Sequence, residues 1–233
     1  MNSTEPGLLQ SSPDAFKGAF VVNADRITER KSIVICGVTR GGTSFGASAF
    51  VRLGVPFWRP GEKERRRTFE HKALRAAFQN GQFDRIRQIA ADFSSHFPVW
   101  GWKLPAIHMH FELIGDCVPN PHFVMLFKEP LSVAARKNAL KGKETVGKMI
   151  DILTLYQKMV TLARQTEHPC LLVSYDRAMS NLAAFLADAA SYAGISGIDV
   201  AAVEANIRSD QREYLQGWGQ TREKRVTLEN RST

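Results

Sequence analysis

Apolar positions along this chain alternate between short unbroken runs and longer stretches with helical spacing. Residues 34–36 form a run too brief for a helix and rich in β-formers, which predicts a buried strand, and 45–53 continues as an apolar helix. Further strands are expected at 98–103, at 122–127 and at 170–176. Between them, 68–80 repeats apolar residues helically through Phe69, Leu74, Ala77 and Phe78, and 83–93 does so through Ile86, Ile89 and Ala90. The longest helix is expected over 144–166, with Met149, Ile152, Leu153, Tyr156, Met159, Val160 and Ala163 as its buried stripe and His168-Pro169 as its stop. A last helix covers 182–194. Strands separated by helical crossovers predict an α/β domain of three layers, α/β/α, around a mostly parallel sheet. Ligands of such folds sit at the carboxyl ends of the strands, where Arg40, Lys103, Lys128 and Tyr175 all fall.

Candidate chemistry concentrates after the first of these strands, in Cys36-Gly-Val-Thr-Arg-Gly-Gly-Thr-Ser44. Strand, glycine loop and helix together cradle phosphate: backbone N–H groups turn inward, the new helix presents its positive end, and Thr43 and Ser44 add hydroxyls. The spacing from Gly37 to Gly42 nearly matches a nucleoside triphosphate loop, but Thr43 stands where that loop needs lysine. The cation here comes earlier, at Arg40.

That placement resembles the 5′-phosphosulfate loop of sulfotransferases, Pro-(Lys/Arg)-Ser-Gly-Thr-(Thr/Ser), with Thr39 at the proline position and Gly41 at the serine position. Three more segments follow in the family's order. Pro98-Val-Trp-Gly-Trp-Lys-Leu-Pro105 is similar to the Trp-Gly-Trp-Lys-Asp-Pro segment of bacterial sulfotransferases, with Leu104 replacing the aspartate. His122-Phe-Val-Met-Leu-Phe-Lys-Glu-Pro130 is similar to the strand carrying the 3′-phosphate-binding Arg-(Asp/Asn)-Pro. Val173-Ser-Tyr-Asp176 and the helix after it resemble the family's Tyr-Glu-Asp-Leu region. The likeness spans roughly residues 32–200.

The resemblance implies a P-loop nucleoside triphosphate hydrolase-like (sulfotransferase) fold and transfer of a sulfuryl group from 3′-phosphoadenosine 5′-phosphosulfate (PAPS) to a hydroxyl or amine of a carbohydrate, lipid or small molecule. It also implies roles. Thr39, Arg40, Gly41, Gly42, Thr43 and Ser44 hold the 5′-phosphate, Arg40 neutralises the leaving oxygen, and Lys103 meets the sulfuryl oxygens. Tyr175 stands where the family packs an aromatic on adenine. Lys128 replaces the family's arginine and loses its planar fork, while Arg136 stands at the family's serine and can return one. Glu70 is the first candidate for the base that deprotonates an acceptor hydroxyl, with His71, His108 and His110 as competitors. The scheme calls for no metal. Two alternatives stay open: a P-loop kinase or nucleotide-binding protein with a degenerate loop, for which Asp176 would mimic a Walker B carboxylate, and an inactive sulfotransferase-like binding module.

Composition adds limits. With 233 residues, 44% hydrophobic, the chain can bury one good core, and we expect a lead-in over 1–30, a single domain over 31–219 and a basic tail over 220–233. A net charge of +8 and a pI near 9.6 suit an anionic cosubstrate. No zinc-finger spacing or helix-turn-helix signature accompanies that charge, so nucleic acid is not an expected partner. Cys36, Cys117 and Cys170 are three widely spaced thiols, expected as buried hydrophobes in a reducing cytoplasm. No signal peptide or membrane span is expected. The acceptor and the oligomeric state are not encoded in any pattern we can read.

Overall fold

The computed structural model describes residues 16–58, 69–105, 111–137 and 142–209. Five strands form one sheet: β1 (Ala19–Val22), β2 (Lys31–Gly37), β3 (Val99–Lys103), β4 (Pro121–Phe127) and β5 (Cys170–Ser174), in the order β1-β5-β4-β2-β3. Strands β2 to β5 run parallel, and β1 joins the β5 edge antiparallel with Ala19 opposite Val173. The helices include α1 (Thr43–Arg52), α2 (Lys72–Gln79), α3 (Phe83–His96), α4 (Phe111–Cys117), α5 (Pro130–Lys137), α6 (Gly142–Gln165), α7 (Tyr175–Ser180) and α8 (Leu182–Ala193), and 200–209 is also helical. No helix among the described residues is long and apolar enough to cross a membrane.

The three layers follow from side-chain alternation along strands that are buried on both faces. Ile33, Ile35, Val124, Leu126, Leu171 and Val173 face α1 and α8, where they meet Phe50, Phe185 and Leu186. Their neighbours Val34, Cys36, Phe123, Met125 and Cys170 face the opposite layer and meet Leu74, Phe93, Ile114 and Met159. Strand β3 obeys the same rule with larger residues. Trp100 stacks on Phe93 and Trp102 on Phe78, with ring centroids 4.8 and 5.2 Å apart. Gly101, on the other face, lies under the Phe57 ring, and a Cβ there would come within 2.4 Å of Phe57 Cε1.

Several expectations change. Strand β1 lies in the stretch read as a lead-in; it is a four-residue edge strand with Phe20 60% exposed, too short and too little buried to show as an apolar run. Helix α2 begins at Lys72 rather than 68, because Phe69 has φ 56° and the His71 side chain accepts the Leu74 N–H at 3.3 Å as an N-cap. Strand β5 stops at Ser174, so Tyr175 and Asp176 open a helix instead of ending the strand. On α6, Ile152, Met159 and Ala163 are buried, but Leu153 and Val160 point outward with half their surface exposed, as do Val146 and Ile150. A helix resting on one layer buries only one side, whatever its apolar content.

On β4, opposite Ile33 of β2, a buried histidine joins two loops. His122 is 1% exposed; its Nε2 accepts the Thr28 N–H at 3.2 Å and its Nδ1 lies 3.0 Å from the Asn120 carbonyl, so the neutral ring carries its proton on Nδ1. Burial pulls the ring down to about 4. An unfolded chain takes up this proton near the ordinary value of about 6.5, so stability is fully present above that pH and is lost as pH falls toward 4. Urea midpoints measured from pH 7 to pH 4 should fall through this window, and His122→Gln should be less stable at pH 7 but show a shallower decline. Gly101→Ala should cost about 1–3 kcal/mol in the same assay, because the buried Phe57 ring has nowhere to retreat.

Candidate functional site

Chain order places β3 on one side of β2 and β4 on the other, which creates a topological switch point at the carboxyl end of β2. The glycine loop occupies that point. It turns tightly, with the Gly41 N–H donating to the Val38 carbonyl at 2.8 Å. Arg40 has φ 72° and Gly42 φ 94°, so two of three successive residues take left-handed backbone. For glycine this is ordinary. For an arginine it stores strain of about 1–2 kcal/mol, the kind found where a ligand needs a fixed geometry.

Helix α1 begins at Thr43 without a side-chain cap, and no acidic residue lies in its first turn. The first intrahelical bonds run from the Phe45 and Gly46 N–H groups to the Gly42 carbonyl, at 2.9 and 3.2 Å, so the Thr43 and Ser44 N–H groups precede them and carry the positive potential of the helix dipole. An uncapped helix start beside Arg40, Thr43 and Ser44 fits a phosphate group.

On the β3 side of the loop, Lys103 reaches across from the strand end. Its side chain is 5% exposed; Nζ donates to Ser44 Oγ at 3.2 Å and lies 3.5 Å from Glu70 Oε1. Arg75, on the first turn of α2, holds the other Glu70 oxygen at 2.7 Å. Burial lowers the Lys103 pKa; Glu70 opposes the shift and Arg75 adds to it. The strained residue Phe69, buried 8% exposed against the α1 core, fixes the backbone immediately before Glu70.

On the β4 side, Lys128 is 8% exposed and its Nζ sits 4.0 Å from the centre of the Tyr175 ring, a cation–π contact. The same ring meets Phe45 edge-on at 5.3 Å and lies against Gly42, where a Cβ would come within 2.4 Å of Tyr175 Cδ2. Tyr175 thus serves as a spacer between the loop glycine and the Lys128 ammonium. The Tyr156 hydroxyl on α6 accepts the Lys128 N–H and donates to the Lys128 carbonyl, each at 2.8 Å. Burial raises the Tyr156 phenol, so it keeps its proton at neutral pH.

The structure therefore gathers Arg40, Gly41, Gly42, Thr43, Ser44, Lys103, Glu70, Lys128 and Tyr175 around the ends of β2, β3 and β4, with Thr39 exposed on the loop itself. Arg136 lies on α5; its side chain, and the whole of His108 and His110, fall outside the described residues. Arg75 and Tyr156 were not singled out by sequence as site residues. Arg75 had only its spacing from Glu70 as a signal, and Tyr156 was read as part of an apolar stripe. Trp100 and Trp102, which flank Lys103, are both core residues.

No protein-family model matches the sequence, and no curated protein matches it significantly. Among solved structures, the sulfotransferase domain of the Synechococcus PCC 7002 olefin synthase is similar at a TM-score of 0.51 and 12% identity, over 77% of this chain and 78% of that one. Sulfotransferase STF9 of Mycobacterium avium gives a TM-score of 0.46 at 9% identity, over 80% of this chain and 69% of that one. A sugar kinase from Janibacter sp. HTCC2649 gives 0.43 at 14%, over 71% and 95%. Only the first is close enough to bear on architecture, and it shows that the chain has a sulfotransferase-like α/β fold.

Arg40→Gly relieves the left-handed backbone but removes the loop cation, and anion binding at the loop is expected to weaken at least tenfold in a calorimetric titration.

Proposed function

We propose that this chain is a sulfotransferase that uses PAPS as sulfuryl donor for an acceptor hydroxyl. The observation that carries this reading is the meeting of Lys103, Ser44 and Glu70 beside the uncapped start of α1. It puts a buried cation and a carboxylate next to a phosphate cradle. When bound, the donor supplies an activated sulfuryl group on the 5′-phosphate.

The residues of the chain then divide the work. Backbone N–H groups of Gly42, Thr43 and Ser44 hold the 5′-phosphate, and Arg40 offsets the charge that grows on its bridging oxygen as the sulfur–oxygen bond breaks. Lys103, desolvated and anchored to Ser44, faces the sulfuryl oxygens. Glu70 receives the acceptor's proton as the new oxygen–sulfur bond forms, with Arg75 fixing the carboxylate plane. Lys128 and Arg136 provide the cations for the 3′-phosphate. As in phosphoryl transfer, positioning and electrostatics supply the catalysis.

The kinase reading loses support at Asp176. Its Oδ2 accepts the Glu129 N–H at 3.3 Å from the first turn of α7, so the carboxylate serves a turn rather than a metal-bearing strand end.

Calorimetry with 3′-phosphoadenosine 5′-phosphate, AMP and ATP, with and without magnesium, tests the proposal. Metal-independent preference for the bisphosphorylated nucleotide is expected, and magnesium-dependent preference for ATP overturns it. With labelled PAPS and a panel of hydroxyl acceptors, Lys103→Ala should lower turnover by about 10²–10³-fold. Glu70→Gln should lower turnover by about 10²-fold or more while binding the bisphosphate like the unmodified chain.

A further inference from the structure

The β4–α5 junction is built in a way that the donor-binding reading does not by itself require. Sheet pairing ends one residue before Lys128: Leu126 is the last partner of β2, opposite Gly37, and Phe127 the last partner of β5, opposite Ser174. Beyond that point Tyr175 turns into α7 and the glycine loop leaves the sheet, so Lys128 has no neighbouring strand for its N–H or its carbonyl. Both groups are nonetheless buried with their residue. A single hydroxyl, that of Tyr156, replaces the ladder by accepting from one and donating to the other. Its ring is held by Phe127, 5.2 Å away.

The rest of the junction is pinned in the same manner. Asp176 takes the Glu129 N–H. The Glu129 carboxylate takes the N–H groups of Leu131 at 2.7 Å and Ser132 at 2.6 Å, which holds its own pKa below the ordinary carboxylate value. Pro130 has no N–H to satisfy. From Lys128 to Ser132, every backbone donor is therefore bound by a side chain, and Glu129 already occupies the start of α5. No backbone donor of that turn is left for an outside anion, and the Lys128 ammonium is what the junction presents toward the loop.

We propose that Tyr156, with Asp176 as a second latch, is a positioning residue for nucleotide recognition: it fixes the backbone of Lys128 so that its ammonium stands on the Tyr175 ring beside the phosphate loop. The inference rests on the sulfotransferase reading, since it takes the ligand of Lys128 to be the nucleotide. With its hydroxyl taken up by both backbone groups of Lys128, Tyr156 acts through that residue.

A mutant cycle tests it, with 3′-phosphoadenosine 5′-phosphate as the calorimetric probe and Tyr156→Phe, Lys128→Ala and the double variant as proteins. Each single variant should weaken binding about tenfold, and the double variant should bind no more than about twofold more weakly than Lys128→Ala alone, because the two act through one contact. A melting temperature measured on each sample separates stability from affinity. Wild-type affinity in Tyr156→Phe, or losses that multiply in the double variant, overturns the positioning role while leaving the sulfotransferase reading standing. Failure of the unmodified chain to bind the probe overturns both. If Tyr156→Phe does not fold, the exposed latch Asp176→Ala takes its place in the cycle, and multiplying losses there overturn the proposal equally.

Discussion

A parallel sheet stops supplying hydrogen-bond partners at its carboxyl edge, and the backbone donors and acceptors just beyond must be satisfied or left facing a ligand. This chain meets that constraint in two opposite ways. At the end of β2, left-handed residues lead into a helix start without a side-chain cap, and on the proposed reading its backbone donors meet the ligand. At the end of β4, Tyr156, Asp176 and Glu129 claim every backbone donor from Lys128 to Ser132, and the Lys128 ammonium stands over the Tyr175 ring. The two ends are joined by the Tyr175 ring, which touches Gly42 on one side and Lys128 on the other.

The same edge explains why buried cations are tolerated. Lys103 and Lys128 each lose water, and each gains a compensating neighbour that an apolar core does not contain: a hydroxyl and a carboxylate for the first, an aromatic face for the second. Lys31, at the other end of β2, is compensated differently, by the Tyr192 carbonyl in the last turn of α8. Along the central residues of β2, β4 and β5, by contrast, both faces are apolar.

Much of this architecture was legible in the chain. Four unbroken apolar runs marked the parallel strands, because a strand buried on both faces has no polar alternation to hide it. The glycine loop was visible because φ above zero and close approach to Tyr175 leave few residue choices at Gly42. Strand β1 was hidden by its brevity and half-exposed face. Outward-facing Leu153 and Val160 were hidden because helical spacing says which residues share a side, but not how wide a side the sheet covers. The partners within the site were the least legible. That Glu70 lies near Lys103 was implied only by likeness to a family, and nothing in the spacing shows that Arg75 grips it or that Tyr156 reaches the end of β4. Those contacts join elements far apart in the chain, and no local rule encodes them.

The self-capped start of α5 bears on how such a protein can change over evolutionary time. A phosphate held by main-chain donors is insulated from most substitutions, since every residue type but proline carries the same N–H, whereas a phosphate met only by side chains is exposed to each codon change. With its helix end already neutralised by Glu129, the β4 end belongs to the second kind. On the proposed reading, nucleotide preference at the β4 corner follows the Lys128 side chain, whereas the β2 corner is limited by backbone shape, since Gly42 leaves no room for a Cβ beside Tyr175.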